Sequence, residues 1–167
     1  MTQSTKVTIA AAVIVLIAVI AFLATRTDTS GPPPITGPER AGDARALLAE
    51  IDRSGDADPQ AVFERAREFQ QQGQLADAQL LYFFSARKDH GPSAFALAEM
   101  NDPNHHSPET SLLPEPDAFQ AFRWYSVARQ QGVDEAAPRL EALREWSEER
   151  ASEGDDDAAR LLLQWEQ

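Results

Sequence analysis

The hydrophobic pattern changes character at Pro38. Before it, Val7 to Ala24 reads VTIAAAVIVLIAVIAFLA, with Thr8 the one polar side chain and no charge. As a helix this run is about 27 Å long, close to the ~30 Å hydrocarbon core of a bilayer. A core helix of that length would show a polar face, and this one has none. A cleaved signal peptide has a shorter apolar region and ends in small residues. Phe22 interrupts that pattern before Ala24, although Val19 and Ala21 fit a cut after Ala21. The reading is therefore an uncleaved transmembrane anchor over residues 7–24, preceded by a short tail over 1–6. The amino terminus and Lys6 lie on one side, while Arg26 on the other is offset by Asp28. The positive-inside rule then places the N-terminus in the cytoplasm. The rest of the chain would be extracytoplasmic, in the periplasm if the membrane is a bacterial inner membrane.

Residues 25–38, TRTDTSGPPPITGP, cannot form helix or central strand and read as a proline-rich spacer. Beyond it the apolar period is helical throughout, and no stretch alternates as a strand does. Ala44, Leu47, Leu48 and Ile51 form one stripe. Asp58 as N-cap and Pro59 at the first position open a second helix, with Val62, Ala66 and Phe69 as its stripe and Gly73 as its stop. QLADAQLLYFFSARKDHG is apolar over most of its circumference, as a helix buried between neighbours must be. A helix headed by Pro92 follows, then a loop with four prolines, DPNHHSPETSLLPEP. Three more helices follow, in DAFQAFRWYSVARQQG, VDEAAPRLEALREWSEERASEG and DDDAARLLLQWEQ. Pro138 stands about one turn inside the second of these, where it threatens the helix start.

Two of these segments echo each other. FFSARKDHG, from Phe83 to Gly91, aligns with WYSVARQQG, from Trp124 to Gly132, at an offset of 41 residues. A period in this range marks stacked helical hairpins. From Asp117 the order Asp, Gln120-Ala121, Trp124-Tyr125, Ala128, Gly132 resembles the second helix of a Sel-1-like repeat, a relative of the tetratricopeptide repeat. The resemblance is best over 94–140, degraded over 59–93 and faint after 141. Gln120, Arg129 and Ala98 stand where the family has Lys, Ala and Gly. The resemblance implies an all-α domain over 39–167, built as a short right-handed superhelical stack of helical hairpins. It makes Phe83, Phe84, Trp124 and Tyr125 packing aromatics and Ala121 and Ala128 small close-approach positions. It makes Gly91 and Gly132 turns, and Leu97 part of the preceding helix. Adjacent helical residues point about 100° apart. Of Trp124 and Tyr125, one is expected against its own hairpin partner and the other against the neighbouring repeat, with Phe83 and Phe84 doing the same one repeat earlier.

Charge and chemistry narrow the function. The net charge is −12, and no acidic residue precedes Asp28. Such a body repels phosphate backbones, so nucleic acid is not expected as a partner. With no cysteine there is no disulfide, thiolate ligand or cysteine nucleophile. Adjacent His105 and His106 lack the i, i+4 spacing of helical metal ligands and read as an exposed loop without a role. His90 reads as a cation at a helix C-terminus. Asp52, Ser54 and Asp56 alternate as in a calcium loop, but Ala57 and Phe63 occupy the places that need Gly and Glu. The acidic stretch 148–157 reads as solvated face and helix start, with weak cation binding left open. No nucleophile elbow or phosphate loop is present. The expectation is therefore not an enzyme, with no cofactor, metal or small-molecule substrate. It is a single-pass, membrane-anchored scaffold or adaptor binding a protein partner at the cell envelope, or alternatively an obligate structural subunit or assembly factor of a larger envelope complex.

Overall fold

The computed structural model describes residues 43–55 and 58–166. The expected tail, anchor and spacer over 1–38 lie outside them. By packing, the chain divides into Met1–Thr36 and Gly37–Gln167, and every described residue belongs to the second unit. The described residues are all-α, with seven α-helices and no strand. None of these helices is long and apolar enough to cross a membrane.

Helix α1 is Asp43–Ser54 and α2 is Pro59–Gln71. Helix α3 is Leu75–Ala86 and α4 is Gly91–Glu99. Helix α5 is Ala118–Gln130, α6 is Ala136–Ser152 and α7 is Asp156–Leu162, extended by a 3₁₀ turn at Leu163–Trp165. Helices α2 and α3, α4 and α5, and α6 and α7 pack in consecutive pairs. Helix α3 also packs on α1 and α4, and α5 on α6 and α7. These neighbours cover α3 on several sides, although Phe83 stays 44% exposed.

Local chemistry fixes the ends. The carboxylates of Asp58, Asp117 and Asp155 accept backbone N–H groups at the starts of α2, α5 and α7, satisfying donors that the first turn leaves orphaned. Besides Gly55 after α1, four helix ends close with a left-handed residue at Gly73, Asp89, Gly132 and Gly154. After each, the next N–H reaches back five residues: Gln74 to Phe69, His90 to Ser85, Val133 to Ala128, and Asp155 to Arg150. This is the Schellman closure. Pro138 falls in the first turn of α6, where no intrahelical donor is required, so the helix starts cleanly at Ala136.

The core mixes large and small residues. Phe69, Leu81, Tyr82, Leu97, Tyr125, Leu143 and Leu161 are fully buried. Half of the buried apolar residues are alanine, among them Ala66, Ala78, Ala98, Ala121 and Ala128. Alanine at an interface lets helix axes approach closely, and large neighbours fill the remaining space.

Candidate functional site

The first two hairpins match residue by residue, in a register different from the one the aromatic pairs suggest. In the first helix of each, positions 32 apart correspond. Asp58 and His90 are both N-caps, Ala66 and Ala98 are both fully buried, and Phe63 and Phe95 each lie against a tyrosine ring. In the second helix the offset is 43: Ala78 with Ala121, Tyr82 with Tyr125, Ser85 with Ala128, and left-handed Asp89 with left-handed Gly132. The eleven-residue difference is the long loop between α4 and α5.

Each matched tyrosine does the same work. Tyr82 packs on Phe63 at 5.7 Å between ring centres, and its hydroxyl donates to Gln70 Oε1 at 2.8 Å. Tyr125 packs on Phe95 at 5.4 Å and donates to Asp102 Oδ2 at 2.9 Å. Gln70 and Asp102 are themselves 32 apart. Burial raises the Tyr82 phenol to about 12. Burial, then the Asp102 carboxylate, holds Tyr125 far above its ordinary value. Both are therefore neutral donors, already engaged, and not bases or nucleophiles.

The long loop is held by polar contacts. Asp102 is fully buried and also accepts the Asn104 N–H at 2.9 Å. The His105 ring lies 3.8 Å from Asp102 Oδ2 and meets Arg139 of α6, which donates to Glu99 Oε1 at 3.2 Å. Burial raises Glu99 above the usual carboxylate range against the lowering pull of Arg139. His106 Nε2 bonds the Leu113 carbonyl at 2.8 Å. The two histidines thus brace the loop, where the sequence suggested no role. No group of three or more potential metal ligands converges among the described residues.

These elements leave a cleft of about 370 Å³ across successive helices. Phe63, Arg67 and Gln70 of α2 line it, with Phe95, Ala96 and Glu99 of α4, and Val133 and Glu135 before α6. Phe63 and Phe95, equivalent in the two hairpins, are both only half-buried. Arg67, Glu99 and Glu135 supply charge at its rim. The cleft thus has an aromatic floor and a rim carrying both signs of charge.

The expected repeat residues separate into two sets. Ala121, Ala128 and Leu97 are buried in the core. Tyr125 faces Phe95 on its hairpin partner, while Trp124, half-buried, meets Phe83 of the preceding hairpin edge-on at 5.8 Å. Gly132 is the left-handed turn. Phe83 reaches the neighbouring hairpin through Trp124, as expected of one of its pair, but in another register, and Gly91 is not the turn. Phe83 is 44% exposed, and the residue equivalent to Tyr125 is Tyr82. The left-handed turn after α3 is Asp89, with φ at 60°. Gly91 instead begins α4, where a Cβ would stand 2.8 Å from Val133 Cγ2 and 3.1 Å from Gln131 Cβ. Its smallness serves the approach of two neighbouring turns. His90 is also corrected: it caps the start of α4, accepting the Ser93 N–H on Nδ1, while Nε2 bonds Gln60 Oε1 at 2.9 Å. Burial lowers its pKa, as suits an uncharged acceptor. The sequence pattern also gave no prominence to Phe63 and Gln70, whose equivalence to Phe95 and Asp102 shows only when the first helices are aligned separately.

Compared with family models, with curated proteins and with solved structures, the chain matches none.

Proposed function

We propose that this chain is a Sel-1-like helical-repeat adaptor. On this reading it is anchored in a membrane by residues 7–24 and binds a protein partner outside the cytoplasm. The observation that carries the proposal is the cleft: Phe63 and Phe95 recur at equivalent places in successive hairpins and face one aromatic-floored groove. Stacked hairpins recognise peptides and helices along such a surface. The engaged tyrosine hydroxyls support binding over catalysis, because catalytic acids and bases must be free to exchange protons.

Arg67 tests the cleft. It lines the groove from an exposed position, over the Phe63 ring at 5.9 Å and paired, among the described residues, with the carboxylate of Glu64 one turn away at 3.3 Å. Arg67→Glu should reduce the partner recovered with the full-length chain from native membranes by roughly tenfold or more, the scale of a truncated or reversed interface charge. Arg129→Glu, on the exposed face of α5, should leave recovery unchanged. Equal recovery with both variants contradicts the assignment. A reporter fused to Gln167 that works only outside the cytoplasm tests the topology, and an expressed but inactive fusion contradicts it.

The alternative, an obligate subunit, draws support from the exposed apolar side chains Phe83, Leu112, Leu113, Phe119 and Leu163. A chain that stays folded and monomeric when its partner is removed favours the adaptor, and one that aggregates favours the subunit.

A further inference from the structure

A second surface shares no lining residue with the cleft. Two adjoining hollows, of about 490 and 330 Å³, run along α3 and have Leu80 and Phe83 in common. Leu48 and Arg45 of α1 form one wall, and Leu112 of the long loop approaches from the other side. Along α3 and its C-cap the trough presents Ala76, Leu80, Phe83, Phe84 and Arg87, one helical stripe about 16 Å long. Phe83 is 44% and Leu112 53% exposed.

The rim of this trough runs against the charge of the rest of the protein, since the carboxylate among its lining residues, Asp77, is buried and accepts the Ala44 N–H at 3.2 Å. Seven described arginines pair with carboxylates. Arg45, Arg87, Lys88, Arg123 and Arg129 meet none among the described residues, and the first three stand around the trough. Arg87 and Lys88 lean instead over the rings of Phe83 and Phe84, at 5.9 and 5.3 Å. Cations on aromatic faces keep their charge available to an arriving anion. A basic rim on an apolar trough, in a chain of net charge −12, favours a negatively charged ligand at that place.

We infer that the α1–α3 trough binds an amphipathic helix of a partner protein, about three turns long, with large apolar side chains on one face and carboxylates along its edges. The apolar side chains lie on Leu80, Phe83 and Leu112, and the carboxylates meet Arg45, Arg87 and Lys88. A symmetric pairing with a second copy is disfavoured because it brings the same cations together.

The probe is a fluorescent synthetic helix of about 16 residues, with Leu at every third or fourth position and Glu between, the length set by the trough. Its control replaces every Glu with Lys. Anisotropy with the full-length chain should show the Glu peptide binding, at least roughly tenfold more weakly at high salt, as exposed charge pairs are screened. Phe83→Asp should weaken binding by a similar factor. The double variant Arg87→Glu, Lys88→Glu should lose the Glu peptide and gain the Lys peptide, a reversal that misfolding cannot produce. Arg67→Glu should change nothing here, so failure of the cleft and failure of the trough are separable. The inference is overturned if the Glu and Lys peptides bind the native chain equally, or if Phe83→Asp leaves binding intact. It is also overturned if the Glu peptide does not bind while phosphatidylglycerol vesicles, or a second copy of the chain seen by sedimentation, engage through Phe83.

Discussion

Tyr82 and Tyr125 occupy equivalent places, yet their hydroxyls should differ in worth. Tyr125 serves Asp102, which is fully buried, whereas Tyr82 serves Gln70, which is partly open to water. A buried acceptor that loses its donor suffers the full desolvation cost. Tyr125→Phe should therefore destabilise by about 1–3 kcal/mol, and Tyr82→Phe by about 0.5–1.5 kcal/mol. Chemical denaturation of the two variants checks the order. His90 gives a pH test. Its folded pKa lies below the ordinary 6.5, mainly through burial. On acidification the unfolded chain takes up this proton first, so the contribution of neutral His90 is whole above about pH 6.5 and is lost as pH falls through the lowered folded value. His90→Asn keeps a capping side chain without titration. Melting curves should show a smaller loss of stability between about pH 7 and 5 for this variant. An unchanged pH dependence contradicts the cap assignment.

At the level of helices and turns, Asp89 and Gly91 decide the register in which the two hairpins correspond. Because Asp89 is the left-handed turn residue, Asp89→Gly removes the cost of a left-handed non-glycine and should stabilise by about 0.5–1 kcal/mol. Gly91→Ala should destabilise despite alanine's better helix propensity, because its Cβ meets Val133 and Gln131. Thermal melts of the two variants check the signs, and the opposite signs would restore the offset of 41. The helices themselves are legible in the sequence, because caps and stripes are local: Asp58–Pro59, the Val62–Ala66–Phe69 stripe and Gly73 all fall where their chemistry puts them. The register is not legible there. A run such as LLYFFSA offers several aromatics to any alignment, and only burial selects Tyr82 over Phe83. The long loop also shifts the second helices by eleven residues relative to the first, so no single period fits both. The cleft is hidden for the same reason, since Phe63 and Phe95 become equivalent only at an offset of 32. The bracing by His105 and Arg139 joins residues 34 apart through a loop without periodicity.

For the whole molecule, the charge of −12 limits its partners more than the fold does. Two surfaces escape that limit: the cleft, with Arg67 among its carboxylates, and the trough, with cations that no described carboxylate meets. On the proposed reading, engaging a partner at both surfaces together would bind more tightly than either alone. Whether a protein partner occupies the cleft can be read by photocrosslinking in the native cell. A photoreactive residue replaces Glu135, exposed on the cleft wall, or Ala159, exposed on α7. One discrete protein adduct is expected from position 135 and none from position 159. The same adducts from both positions, or none from position 135, would contradict a partner in the cleft.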